Sequence, residues 1–224
     1  MMTYVIYGFV LGYIIPYMAR RFAKFSPASP SESIWRLIVP TKKVRCVKCY
    51  QNKKYKELCL AYVGRSFLYG LLCAFLFVQG VKHFDNYAIH ADLAFVWALL
   101  LLAEIDYKTY LLPDVVTIPL LIGGFIVAAF FGGAAESSLA AAVGYILPVF
   151  AGLLIAWKHP DAFGGGDVKL LAAIGAWLGI VPVIGTMLIS CLLFGLFALI
   201  RHRREGAFGP AICSAAIIVA FYFF

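Results

Sequence analysis

Charge is scarce in this chain. Only 13% of its 224 residues are Asp, Glu, Lys or Arg, while 63% are hydrophobic. A soluble domain carries about twice that share of charge, so a soluble globular fold is excluded. Acids are scarcer than bases, 11 against 19, and there are four histidines. No Ser, His and Asp set stands at matched depth for a serine hydrolase. None of His83, His90, His159 and His202 has a metal or nucleophile partner in the pattern. Internal repeats and low-complexity tracts are absent, as is any interleaving of basic with aromatic residues. The net charge of +8 therefore reads as loop charge facing anionic lipid, with no nucleic-acid partner.

Long apolar runs fill the space that charge leaves. A span needs about 20 apolar residues, fewer where its ends snorkel. Candidate spans fall near 3–19, 66–82, 87–105, 115–133 and 138–157. Met1 to Met18 has no basic segment ahead of it and no small-residue cleavage site, and is read as the first span. Residues 170–200 carry no charge for 31 positions, too many for one upright span, and Gly179-Ile180-Val181-Pro182 offers the break. Residues 211–224 make a last short span. The expected fold is all-α: a polytopic membrane helix bundle of about eight transmembrane helices with a short basic cytoplasmic loop.

Twelve of the nineteen basic residues lie between Arg20 and Arg65, which assigns that segment to the cytoplasm. Counting spans from there puts Asp106, Lys108, Lys158, Asp167, Lys169 and the Arg201–Arg204 cluster on the same side. Lys82 alone falls on the far side, with Asp85 and Asp92, which are read with Glu136 as ordinary loop acids. Ser26 to Ser33 reads as a solvated turn.

Against this background the acids at the cytoplasmic helix ends stand out. Asp106 closes an apolar run in Glu104-Ile105-Asp106-Tyr107, and Asp167 follows three glycines in Gly164-Gly165-Gly166-Asp167-Val168-Lys169. A charge at a helix centre in the hydrocarbon costs roughly 2.5–3.5 kcal/mol on insertion scales, so it persists where function needs it. Two such carboxylates can share one proton, the ionised member drawing a proton from water while the protonated one polarises a carbonyl. The glycines leave room for an extended peptide. Other roles remain open: Asp114 as the N-cap of the 115–133 span, Asp167 as a cap for the helix that follows it, and Glu104 as a partner in place of Asp106.

These residues resemble the type IV prepilin leader peptidase family, membrane aspartic proteases with a GxGD signature. The resemblance rests on Ile105-Asp106, then Leu112-Pro113-Asp114, then Gly164-Gly165-Gly166-Asp167-Val168-Lys169-Leu170-Leu171, with Phe208-Gly209-Pro210 similar to the family's FGP element. It covers about 95–224. It implies an endopeptidase that removes the basic leader of prepilins or pseudopilins at the cytoplasmic face of a bacterial inner membrane. Asp106 and Asp167 would be the catalytic pair, with Asp114, Gly164, Gly166 and Lys169 as supporting motif residues. The chain then divides into a first span (1–19), a basic loop (20–65) and a peptidase core (66–224). Partners would be the substrates, the lipid bilayer and pilus or secretion assembly machinery.

Proteolysis of this kind needs no cofactor. Many members of the family also methylate the new N-terminus with S-adenosylmethionine and carry two CxxC pairs. Here the loop holds one pair, Cys46 and Cys49, and then Cys59 alone. Three thiols fall one ligand short of a tetrahedral zinc site and read as free cysteines. The glycine-rich start of the family is reduced to Gly8, Gly12 and Tyr13. Both departures bear on methylation, and so on S-adenosylmethionine, more than on proteolysis. Cys73, Cys191 and Cys213 lie in apolar spans and read as small hydrophobes. The other readings are a GxGD protease with different substrates, an ion-coupled transporter, and a non-catalytic component of an assembly.

Overall fold

The computed structural model describes residues 1–23, 53–83, 89–156, 164–201 and 206–223, with the side chains of 53–60, 83, 154–156 and 223 outside that description. Cys46 and Cys49, Asp85, Asp161, His159, His202 and most of the basic loop lie outside the described residues, as does the side chain of Cys59. Among the described residues the secondary structure is entirely helical. The helices are α1 (Met2–Ala23), α2 (Lys53–His83), α3 (Ile89–Thr109), α4 (Asp114–Phe130), α5 (Ala134–Ala156), α6 (Gly165–Leu178), α7 (Ile180–Arg201) and α8 (Gly209–Phe223).

Four helical stretches, Met2–Ala23, Ala61–Lys82, Ala134–Leu153 and Ile180–Arg201, are long and apolar enough to cross a bilayer, and Asp114–Phe130 and Gly209–Tyr222 are shorter apolar helices. This is a polytopic membrane helix bundle. The count of full-length spans is below the expected eight because α3 carries Asp92, Glu104, Asp106 and Lys108, while α6 has 14 residues and two charges in its first turns. One boundary differs from expectation: α2 begins at Lys53, so its first turns run through the basic segment before the apolar part begins. Lysine and glutamate are good helix formers, and a hydropathy rule is blind to a polar helix.

The chain divides into two compact units, Met1–Lys82 and His83–Phe224. In the first, small residues let α1 and α2 cross closely: a Cβ on Gly8 would stand 2.9 Å from the Ala74 Cα, and Gly12 lies against Tyr69 and Gly70. This is the usual way membrane helices approach, since lipid gives them no hydrophobic drive to associate.

The second unit is built around α6. Leu170 to Ala173, Ile174 and Ala176 are all nearly inaccessible, and α3 is likewise buried on most sides from Leu93 to Asp106. Helices apolar and buried all round are interior helices. By contrast α7 turns Leu188, Leu192, Leu199 and Ile200 outward, each more than 60% exposed, an apolar face suited to lipid. α6 packs against α4, α5, α7 and α8. Its contact with α5 is close at Gly144, where a Cβ would come within 2.5 Å of the Leu171 carbonyl oxygen, and again between Gly175 and the Ala140 backbone. The Ser137 hydroxyl donates to the Ala176 carbonyl at 2.7 Å across the same interface. α6 stops where the sequence predicts: Gly179 takes φ +94°, a left-handed conformation glycine tolerates, and α7 starts at Ile180.

Candidate functional site

Three helix ends meet at one end of the second unit. The first is the C-terminus of α3, which delivers Asp106. The helix is closed by Tyr110, whose backbone is left-handed at φ 55° and whose N–H donates to the Asp106 carbonyl at 2.8 Å. The Thr109 hydroxyl donates to the Ile105 carbonyl at 2.9 Å, and the Leu111 N–H donates to Thr109 Oγ1 at 3.3 Å. This tight exit turns the chain at once into Pro113 and α4. Tyr107, Tyr110 and Leu111 are more than half exposed on the rim.

The second end is the N-terminus of α6, which delivers Asp167. Gly164 is the N-cap residue, so Asp167 stands at the third helical position, and its carboxylate takes a backbone hydrogen bond from Gly164. That is the return half of a capping box. Gly166 is the close-packing glycine of the triplet, since a Cβ there would stand 2.9 Å from the Leu112 Cβ. Gly165 meets nothing within 4 Å. The room expected of the glycines is therefore divided: Gly166 admits the α3–α4 turn, Gly164 serves Asp167, and Gly165 is open.

The third end is the N-terminus of α8, whose importance the sequence did not disclose. The Gly209 N–H donates to Asp106 Oδ2 at 2.9 Å. One turn on, the Cys213 thiol is buried, lies against the backbone of Ala103, and is close enough to Asp106 and Asp167 to feel the charge of both. The FGP element marks this place in the sequence, but nothing in it says which N–H meets which carboxylate.

Asp106 is 5% exposed and Asp167 is partly buried. Both lie just outside the apolar runs, one residue past 87–105 and three before 170–200. Burial pushes both carboxyls above the usual aspartate range. For Asp106 the Gly209 N–H opposes that shift. For Asp167 the nearby Asp106 carboxylate adds to burial, and the group rises to about 7, with Gly164 pulling the other way. Two acids so placed can hold one proton between them near neutrality, one member taking a proton from water and the other giving one to a carbonyl.

The remaining acids separate from this pair. Asp114 is the first residue of α4, and the N-cap is Pro113, without a side-chain cap. Its carboxylate instead receives both oxygens' worth of contact from Lys169, whose Nζ lies 2.8 Å from Oδ1 and 2.8 Å from Oδ2. The Asp114 capping role is thus replaced by an ion pair between α4 and α6, and Lys169 is an anchor. Glu104 is fully buried but faces Lys108, with 2.7 Å between Oε1 and Nζ, one turn along α3. Glu136, in the first turn of α5, lies near Gly179. That end of α6 is remote from its first turn. Among the described residues, no three His, Cys, Asp or Glu side chains form a metal-holding group.

Residues 93–199 match the Type IV leader peptidase family. A prepilin leader peptidase/N-methyltransferase of Pseudomonas aeruginosa is 33% identical over 84% of this chain and 74% of its own length. One from Klebsiella pneumoniae is 33% identical over 75% of this chain and 74% of its own. One from Aeromonas hydrophila is 36% identical over 57% and 48%. The chain thus spans about half the length of the Aeromonas relatives it matches. No solved structure matches. With Asp106, Asp114, Asp167 and Lys169 all inside the matched region and gathered at one end of the bundle, the chain belongs to the type IV leader peptidase family.

Proposed function

We propose that this chain is a membrane aspartic endopeptidase that removes the leader peptide of prepilins or pseudopilins, with Asp106 and Asp167 as its catalytic residues. The observation that carries the reading is the pairing of these two carboxylates from separate helix ends, each above its ordinary range, with Asp106 raising Asp167. In the reaction, the ionised carboxylate takes a proton from a water molecule as the water oxygen attacks the scissile carbonyl carbon. The protonated carboxyl gives its proton to the carbonyl oxygen. Collapse of the tetrahedral intermediate breaks the C–N bond: the leaving nitrogen takes the proton that came from water, and the hydroxyl formed from the carbonyl returns its proton to the other carboxylate, which restores the pair. Lys169 and Asp114 fix the first turn of α6 against α4, which keeps Asp167 in place.

The substrate's apolar helix would lie along the lipid-facing helices, with its basic leader at the cytoplasmic surface of the inner membrane. The match to relatives named as prepilin leader peptidases supports this choice of substrate class. Their names also include N-methyltransferase. For this chain, methylation is a separate outcome of the assay, and the loop holds the single CxxC pair Cys46 and Cys49.

The test is co-expression of a prepilin with the wild type, Asp106→Asn or Asp167→Asn, following the prepilin's mass and each variant's membrane level. Cleavage by the wild type and none by either variant supports the reading. Cleavage retained by a variant removes that residue from the mechanism. Wild-type failure on prepilins with cleavage of other membrane proteins points to another substrate class. A prepilin product heavier by one methyl group shows the second activity.

A further inference from the structure

The start of α8 is built around a single backbone N–H. Gly209 is buried, and a Cβ added there would stand 2.7 Å from Asp106 Oδ2, 2.9 Å from its Cγ and 3.0 Å from its Cβ. Any side chain at 209 displaces the Asp106 carboxylate. Pro210 has no N–H, and the Ala211 and Ile212 N–H groups both turn back to the Phe208 carbonyl, at 3.0 and 3.1 Å. Of the first two residues of α8, Gly209 alone can therefore donate, and its N–H goes to Asp106 Oδ2 at 2.9 Å. Phe208 in turn packs edge-on against Phe194 of α7, ring centroids 5.3 Å apart, which pins the start of α8. Each member of Phe208-Gly209-Pro210 thus has a separate part: an anchor, a close approach and a missing donor.

Other groups facing Asp106 do not replace this bond. α6 presents Asp167, a like charge, and α8 presents the Cys213 thiol. On α3 itself Glu104 is paired with Lys108, and on α4 Asp114 is paired with Lys169. Both cations are engaged by other carboxylates. An N–H bond to a carboxylate favours its charged form, and Asp167 accepts one as well, from Gly164 at the start of α6. Asp106 stands in the last turn of α3, where the dipole of its own helix opposes a negative charge, and depends on the donor that α8 brings to it.

We infer that Gly209 is a positioning residue: its backbone N–H, with no side chain in the way, aims the Asp106 carboxylate and lets it ionise in the last turn of α3. This rests on the proposed aspartate chemistry and adds to it the group that keeps Asp106 in place.

The test uses the full chain in detergent with a synthetic peptide of a basic leader joined to an apolar helix. Gly209→Ala is expected to lower kcat roughly tenfold to a hundredfold, as loss of a hydrogen bond to a charged group would. KM should stay near the wild-type value. The acidic limb of the pH profile should move up by about one unit, because Asp106 then holds its proton more tightly. Gly206→Ala, three residues earlier and against Phe194 and Phe197, should leave the profile unmoved. A Gly209→Ala profile superimposed on the wild type overturns the inference. Should Gly209→Ala not fold, glycolic acid incorporated at position 209 in place of glycine removes the N–H and adds no side chain. The acidic limb is again expected to move up, and an unmoved limb overturns the inference. Cleavage retained by Asp106→Asn instead breaks the aspartate reading itself, so the two failures are distinguishable.

Discussion

The two ends of α6 do different work with the same helix. At its start stand Asp167 and Lys169, facing Asp106 and Asp114. At its far end Trp177 stacks on Phe95 of α3, ring centroids 4.9 Å apart, and its indole N–H donates to the Leu120 carbonyl of α4 at 2.7 Å. Gly123 and Gly124 of α4 lie against the same indole. One end is apolar contact with its single polar atom satisfied. The other crowds acids together, only one of which is given a cation. The tryptophan end fixes the spacing of α3, α4 and α6, and that spacing determines where the carboxylates at the opposite end can meet.

Substitutions at the two ends should therefore separate activity from stability. The largest effect on activity is expected for Asp106→Asn and Asp167→Asn, each cutting cleavage by about a thousandfold or more, in the range of lost general acid–base catalysis. Neither should lower the thermal unfolding temperature in detergent, because each replaces a carboxyl whose charged form burial disfavours. Gly175→Leu, midway along α6, should do the reverse. Its side chain would enter the Ala140 backbone of α5, costing about 1–3 kcal/mol as overpacking does, read as an earlier thermal transition.

The pH dependence follows from Asp167. Its carboxyl is raised to about 7 from an ordinary 3.8. In the proposed reaction the pair holds one proton, which is lost as pH rises through about 7, so kcat should fall on that side. Stability shifts in the same direction. Between 3.8 and about 7 the folded chain keeps a proton that the unfolded chain has released, so this group makes folding less favourable as pH rises across that window. Asp167→Asn should flatten both dependences. A wild-type alkaline limb that persists in stability measurements of Asp167→Asn would assign it to another group.

Smaller effects separate the anchors. Lys169→Met leaves Asp114 without its cation, but the pair is about half exposed, 44% and 53% for the two side chains. About 1 kcal/mol or less of stability is expected to go, with a modest fall in kcat as the first turn of α6 loosens. Trp177→Phe keeps a ring against Phe95 and loses the bond to Leu120, about 1 kcal/mol. Cleavage per folded molecule should be unchanged, and a large loss would mean that the two ends are not separable.

Much of this arrangement is legible in the sequence, for physical reasons. The break at Gly179 follows from a charge-free run too long for one span. The common side of Asp106 and Asp167 follows from counting spans outward from a basic segment. What escaped the pattern depends on partners distant in the chain. Asp114 reads as a cap because it precedes an apolar run, and only folding shows that Lys169 reaches it. Gly209 reads as a motif letter because a backbone N–H leaves no trace in composition. The first turns of α2, from Lys53, escaped for another reason: a polar helix lacks the hydrophobic signal by which spans are found.

The most direct measurement is kcat/KM for Asp106→Asn, Asp167→Asn and the double variant, with one purified prepilin and equal amounts of folded enzyme. Carboxylates that act as one unit lose nearly everything when either is removed, so the three variants should fall to the same residual level. Losses that add from the singles to the double, or substantial cleavage by either single variant, would contradict a proton held in common by Asp106 and Asp167.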